Sequence, residues 1–305
     1  MQIMSEGLNG FLLVTAAGVC WIGIGISVSV CAARNWNYSI VQGVSCLGAA
    51  LICGLILAAD SFRALPGQAS VWGFLMSCAA GLANFYTYVF ASKAMRRGPN
   101  GLVWGVMQAG MIGSFLMGVL FFGEKASRLR LTGLILILGG ILLMGLARNK
   151  SSSGKGRSWI LPALGAFLLV MAGHCCNALP SYFPETAGTG AVSRTLGMYT
   201  GGAVGFFLTA LPGMIRKREF GGKGEWSAAA VLAILNISAS GLFFYRGLDL
   251  LARNGCGGLG YPVAIGVCVA GFSLYSLLIL KEKCSPPSLA GLAAVCLGII
   301  FIAMR

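Results

Sequence analysis

The sequence predicts an all-α membrane protein with ten transmembrane helices in two inverted five-helix repeats. Three observations carry that expectation: the scarcity of charge, the places where charge stands, and one pattern that occurs twice. Of 305 residues, 57% are hydrophobic and 10% charged, whereas a soluble domain has about 25% charged residues. So few charges cannot cover a water-soluble chain of this length, and lipid solvates most of it.

The charges fall between long neutral runs. In the first half these runs are Gly7–Ala33, Asn35–Ala59, Ala64–Ser92, Gly98–Gly123 and Leu131–Ala147. In the second half they are Ser158–Pro184, Thr195–Ile215, Trp226–Tyr245, Asn254–Leu280 and Cys284–Met304. A helix needs about 20 mostly apolar residues to cross a bilayer, within a range of roughly 17–25. Each run fits one such helix and none fits two comfortably. The runs are continuous and rich in Leu, Ala and Gly, unlike the ~10-residue alternating strands of an outer-membrane barrel. The first run lacks a basic leader and resembles the other nine, so it reads as a span and not as a cleaved signal.

The basic, Ser/Gly-rich segment RNKSSSGKGR divides the chain. The expected organisation is a first repeat over 1–147, a linker over 148–158 and a second repeat over 159–305. The repeated pattern closes each half: GEKASRLRLTGLILILGG with Glu124, and KEKCSPPSLAGLAAVCLG with Glu282. One constant shift superposes Glu124 on Glu282, Lys125 on Lys283, Gly133 on Gly291, Gly140 on Gly298 and Gly113 on Gly271. Five spans per half is an odd number, so the second half starts on the opposite side of the membrane. Two inverted halves are a recurring transporter plan, with the solute held near the midplane between them.

The formal net charge of +14 follows from bases in the breaks between spans, where membrane topology puts them, and no nucleic-acid partner is expected. The breaks after spans 1, 3, 5, 7 and 9 hold 14 Lys and Arg and the other side holds 8. The positive-inside rule then places both termini outside the cytoplasm. Eleven cysteines are scattered, mostly inside apolar runs, and Cys175 and Cys176 are adjacent. Neither a disulfide framework nor a metal site is expected, and no cofactor is implied.

At the Glu-Lys repeat the chain resembles the drug/metabolite transporter superfamily, and most nearly its ten-helix EamA-type permeases. The resemblance rests on GVLFFGEKASRLRLTGLILILGGILLMG and SLLILKEKCSPPSLAGLAAVCLGIIFIAM, with FASKAMRRGPNG and FFYRGLDLLARNG as the ends of the third and eighth helices. It implies two inverted repeats that move small metabolites by alternating access. Two features depart from the pattern. Gln108 stands where many relatives carry a mid-helix Pro in the fourth helix, and the charge count opposes the cytoplasmic termini of many relatives. Tyr261-Pro262, early in the ninth span, is a feature of sugar-transporting relatives.

Glu124 and Glu282 end a span just before the last helix of each half. A structural or gating role is expected, because a carboxylate near a helix N-terminus meets unpaired N–H groups and the positive dipole end. Ser127 and Ser285 are candidate N-caps, and Pro286 and Pro287 suit a first turn. No span holds a mid-helix acid, which argues against a deep-carboxylate proton mechanism. His174, the single histidine, lies mid-span with Asn177 on the same helical face. The pair is a candidate for solute binding or coupling. Arg194 is a candidate positive site for a carboxylate or phosphate, or else snorkels to the interface. Arg246 and Asp249, one turn apart, are expected to pair at the membrane edge. Trp21, Asn84, Tyr88, Gln108, Tyr199, Asn236, Tyr261 and Tyr275 are polar or aromatic residues within spans that suit a small amphipathic solute.

The expected function is a secondary transporter for a small polar or amphipathic metabolite. An amino-acid-like solute and export are favoured, with a sugar uptake permease as the alternative. A non-transport structural or signalling membrane protein is the third reading. The chain has too few clustered acids and histidines for an enzyme and no GxxxxGK[ST] loop for nucleotide. The expected partners are the small-molecule substrate and the lipid bilayer, with the chain a monomer or weak homodimer in a bacterial cytoplasmic (inner) membrane.

Overall fold

The computed structural model describes residues 2–34, 36–61, 68–97, 100–147, 157–183, 186, 189–279, 281 and 285–304. All regular structure among them is helical. The choice is forced, because in lipid each backbone N–H and C=O must be satisfied within the chain, and a helix does so with its own residues. Glu282 and most of the linker, 148–156, lie outside the described residues.

The helices run in chain order. α1 is Gln2–Ala33, α2 is Tyr38–Ser61 and α3 is Gln68–Arg97. α4 comes in pieces: Asn100–Gln108, a 3-10 turn at Ala109–Met111, and Ile112–Phe122. It thus breaks its α geometry beside Gln108 without a proline. There Gly110 lies against the helix that begins at Ile160, where a Cβ would press on Val170 and the Phe167 carbonyl. α5 is Arg128–Ala147, and α6 is Ile160–Ala178 followed by a 3-10 turn, Leu179–Tyr182. α7 joins Ala191–Gly205, a π-helical segment Phe206–Ala210 and Leu211–Lys217. α8 joins Lys223–Ile237, a π-helical segment Ser238–Phe244 and Tyr245–Arg253. A 3-10 turn, Gly257–Leu259, leads into α9, Gly260–Leu278, and α10 is Pro286–Ala303.

Among the described residues, nine helices are long and apolar enough to cross a membrane. They are α1–α4 and α6–α10. The 20-residue α5 stands where the fifth span is expected, and nine of the ten expected spans are found among the described residues. The outward surface is apolar, with Phe121 79% and Leu161 77% exposed, as a lipid-facing surface requires.

Local sequence explains the ends. α4 stops at Gly123, whose left-handed φ of 66° lets the cap N–H bond Gly118, a conformation that only Gly adopts without strain. Lys281, the equivalent residue of the second Glu-Lys pattern, has the same left-handed sign at φ 51°. The Ser127 hydroxyl accepts the Arg130 N–H at 3.3 Å and caps α5 as expected. Ser285 holds the N-cap position of α10, but its hydroxyl meets the Ser288 hydroxyl at 3.3 Å instead of a backbone N–H.

Helix packing brings the ends of the chain order together. α5 lies along α10, α3 between α6 and α7, and α2 against α7 and α8. α1 packs on α8 and α9, α4 on α5 and α6, and α9 on α10. Glycine sets the closest approaches, as in membrane bundles generally. A Cβ on Gly133 would lie 2.7 Å from the Gly298 carbonyl oxygen, and one on Gly140 2.5 Å from that of Gly291. Because the lower number on α5 meets the higher on α10, the two helices are antiparallel.

Candidate functional site: a central polar and aromatic cavity

The helices surround a cavity of about 120 Å³, small beside the ~300–1,000 Å³ of drug-sized clefts. Nine of the eleven binding candidates line it. Trp21 comes from α1, Asn84 and Tyr88 from α3, and Gln108 from α4. His174 and Asn177 come from α6, Tyr199 from α7, Asn236 from α8 and Tyr261 from α9. The helical spacing of three or four residues that pairs His174 with Asn177 and Asn84 with Tyr88 puts both members of each pair on the cavity face.

The aromatic wall is continuous. His174 stacks on Tyr261 with ring centroids 3.8 Å apart and planes 20° from parallel. Trp21 follows at 6.2 Å from Tyr261, and Phe244 lies 4.9 Å from Trp21. Tyr261 is also held at its rim, because Asn177 Nδ2 donates to its hydroxyl at 2.7 Å. The Tyr245 hydroxyl in turn donates to Asn177 Oδ1 at 2.7 Å. On the other side Tyr199 and Ser240 share a hydrogen bond of 3.1 Å, and Asn236 donates to the buried Ser45 hydroxyl at 3.1 Å.

Two binding candidates fall elsewhere. Tyr275 sits near the end of α9, half-buried against Phe272, outside the cavity lining. Arg194 is 1% exposed and does not snorkel. Its Nη1 makes a 2.7 Å ion pair with Asp249, its Nη2 donates to the Asn177 carbonyl at 2.8 Å, and its guanidinium lies 4.3 Å over the Tyr245 ring. A buried guanidinium needs compensating charge, and Asp249 supplies it. The expected Arg246–Asp249 pair is thereby corrected: Arg246 is exposed, and Asp249 takes Arg194 together with the Ser181 hydroxyl at 2.7 Å. Both partners of Asp249 lie more than 50 residues away in sequence, so local spacing pointed to the wrong base.

Glu124 is buried at the neighbouring position. Tyr182, next to Ser181, donates to Oε1 at 2.9 Å, and the Gly258 N–H reaches both carboxylate oxygens at 3.2 and 3.1 Å. The carboxylate serves a helix start, as expected, but it is that of the turn leading into α9 and not that of α5. Burial raises the Glu124 carboxyl above the ordinary carboxylate range, against the lowering pull of Tyr182 and the glycine N–H groups. Asn177, one turn before Ser181, joins the Arg194–Asp249 contacts to the cavity.

The structure adds Gln42, Thr87, Trp104 and Ser240 to the lining. Gln42 and Trp104 met the same criterion as the residues that were found, since both are polar or aromatic within neutral runs. Thr87 gave no signal, because its hydroxyl is spent on the Ala83 carbonyl one turn back. Ser240 faces the cavity from a π-helical segment, a geometry often found at functional sites and invisible in helical periodicity. Among the described residues no cluster of His, Cys, Asp or Glu has metal-binding geometry.

Fold and cavity together define a multi-pass helical membrane protein with a solute-sized internal chamber. Residues 8–146 match the model of the EamA-like transporter family, in agreement with the drug/metabolite transporter resemblance of the Glu-Lys repeat. The match lies in the first half of the chain, and the matched family is described as one of transporters. No curated protein matches the chain. A solved chain described only as "Crystal structure of protein" superposes with a TM-score of 0.72 at 15% identity. The superposition covers 96% of this chain and 97% of that one, a likeness of fold alone.

Proposed function

We propose that the protein is a secondary transporter that moves a small polar or amphipathic metabolite by alternating access, with an amino-acid-like solute and export favoured. The observation that carries this reading is the cavity, whose polar and aromatic lining comes from both halves and lies inside membrane-spanning helices. Enclosed polar surface in a lipid-solvated bundle is costly unless something polar occupies it.

Two inverted repeats, 1–147 and 159–305, fit the packing. Exchanging each helix for the one five places on turns α1·α9 into α6·α4, α3·α6 into α8·α1, α3·α7 into α8·α2, and α4·α5 into α9·α10. All of these pairs occur. The antiparallel Gly133–Gly298 contact exchanges into Gly291–Gly140, which also occurs. On this reading the Glu124 and Arg194–Asp249 clusters seal one end of the pathway. The charge count assigns that end to the outside of a bacterial cytoplasmic membrane, so the state described is closed outwards. Sugar uptake is less favoured, because His174 covers one face of Tyr261, the ring on which a sugar would stack.

The test is counterflow in proteoliposomes, with labelled amino acids, sugars and nucleosides taken up against unlabelled internal pools, with and without a pH gradient. Saturable uptake of one class is expected. Folded protein that exchanges none of them would overturn the transport reading.

A further inference from the structure

We propose that the cavity selects solutes of zero net charge that present a flat face and both a hydrogen-bond donor and an acceptor, and that Asn84, Gln108 and His174 read that polar edge. The inference rests on the transport reading and specifies the substrate of the same cavity.

The first argument is charge. Among the described residues that line the cavity there is no Asp, Glu, Lys or Arg. Arg194, whose Nη2 reaches the carbonyl of the cavity residue Asn177 at 2.8 Å, is ion-paired with Asp249 at 2.7 Å. A solute with a net charge would leave water for a low-dielectric chamber with no counter-charge, a transfer that is strongly disfavoured. A neutral solute pays no such penalty, and a zwitterion brings its own compensation.

The second argument is the hydrogen-bond inventory. Most polar groups of the lining are already satisfied by the protein. Gln42 accepts from Tyr38 at 3.2 Å and donates to Cys46. Asn177 is held by Tyr261 and Tyr245, Asn236 by Ser45, and Tyr199 by Ser240. The two remaining carboxamides, Asn84 and Gln108, line the cavity and make no hydrogen bond to the described residues. His174 Nδ1 is buried without a partner. Buried polar groups in native structures are paired as a rule, so His174 Nδ1 points to an occupant that pairs it, and the half-buried Asn84 and Gln108 offer open amides on the same cavity. Each carboxamide offers a donor and an acceptor, and a neutral imidazole offers one of each. Their complement carries both kinds of group, which a hydrocarbon or a quaternary amine does not.

The third argument is shape. His174, Tyr261 and Trp21 stand in sequence with planes 20° and 23° from parallel, so one wall is an aromatic face. With about 120 Å³ available, a single flat ring with a polar edge is the fitting size.

The experiment is counterflow with labelled solutes paired by charge: phenylalanine, uracil and uridine as net-neutral flat solutes, glucose as a neutral one without a flat ring, lysine and agmatine as cations, and glutamate and uridine monophosphate as anions. Exchange confined to net-neutral flat solutes is expected. A cation, an anion or glucose exchanged as fast as the best neutral flat solute overturns the inference and leaves the transport reading standing. Exchange of none of them by folded protein removes both. For the exchanged solute, Asn84→Leu and Gln108→Leu are each expected to raise KM at least tenfold with an unchanged melting temperature in detergent. Asn84→Gln, which keeps the amide, is expected to recover part of the loss, and Tyr275→Phe, outside the cavity, to leave KM unchanged. Unchanged KM in both Leu variants overturns the assigned recognition set.

Discussion

Arg194 shows at the scale of one residue why a charge in a membrane protein has to be read by its partner. From sequence it stood at the start of a span with no acid on its own helix, open to a role in solute binding. In the fold it is buried against Asp249, the Asn177 carbonyl and the Tyr245 ring. Replacing Asp249 with Asn leaves the guanidinium buried without a counter-charge. Breaking a buried pair from one side generally costs about 3–5 kcal/mol, and Asp249 is 23% exposed, so about 3 kcal/mol is the expected scale. The measurement is the thermal unfolding midpoint in detergent, where Asp249→Asn is expected to melt lower and Arg194→Met with Asp249→Leu to recover part of the loss. Equal melting of Asp249→Asn and the parent would remove the pair from the account. Glu124 carries a pH prediction of opposite origin. Burial raises its folded-state pKa above the ordinary carboxylate value, so the fold binds this proton more tightly than the unfolded chain does. Its contribution is therefore fully present below the ordinary carboxylate value and is lost as pH rises through the raised one. A plot of melting temperature against pH is expected to fall across that window in the parent and to lose that component in Glu124→Gln. Both residues were visible in the sequence as rare charges beside apolar runs. Their partners were not, because Gly258 lies 134 residues from Glu124 and Asp249 lies 55 from Arg194, and no local periodicity links them.

Whole helices were the most legible part of the chain, since a run without charge long enough to cross lipid has few other ways to fold. Their ends and interruptions were harder to read, for physical reasons that differ by case. The seventh neutral run starts at Thr195, yet α7 starts at Ala191, because the buried ion pair allows Arg194 inside the helix. The eighth run, Trp226–Tyr245, is shorter than its helix because Arg246 and the ion-paired Asp249 lie inside α8, with Lys223 and Arg253 at its ends. The π-helical segments in α7 and α8 left no trace in the apolar pattern, since one extra residue per turn shifts a face without changing composition. Glycines were legible as small residues but not as to which face they present. Gly139 and Gly140 separate the two cases. A Cβ on Gly140 meets the Gly291 carbonyl oxygen at 2.5 Å, whereas one on Gly139 meets nothing within 4 Å. Gly140→Ala is expected to force α5 from α10 and destabilise by about 1–3 kcal/mol, the usual cost of overpacking. Gly139→Ala is expected to be neutral or to stabilise by up to about 1 kcal/mol through helix propensity. Melting of the two single variants under one condition distinguishes them, and equal destabilisation would place the α5–α10 contact elsewhere.

Across the whole molecule, the central question is how many times the chain crosses the membrane between the two halves. Among the described residues nine helices count as spans, and the 20-residue, mostly apolar α5 stands where the tenth is expected. It packs along α10 through the same glycines that the repeated pattern superposes, so its membrane status decides whether the halves are inverted. Ser127, before α5, and Gly222, after α7, are both exposed. If α5, α6 and α7 all cross, three crossings separate the two positions and place them on opposite faces. If α5 lies on the surface, two crossings separate them and they share a face. Single cysteines at 127 and 222, in a background freed of other accessible cysteines, are expected to react with a membrane-impermeant maleimide from opposite sides. The basic excess predicts that position 127 is labelled in intact cells and position 222 only after lysis. Opposite labelling with the reverse sidedness would keep the inverted halves and correct the orientation. Labelling from one side at both positions would make α5 a surface helix, and the two-repeat account would fall with it.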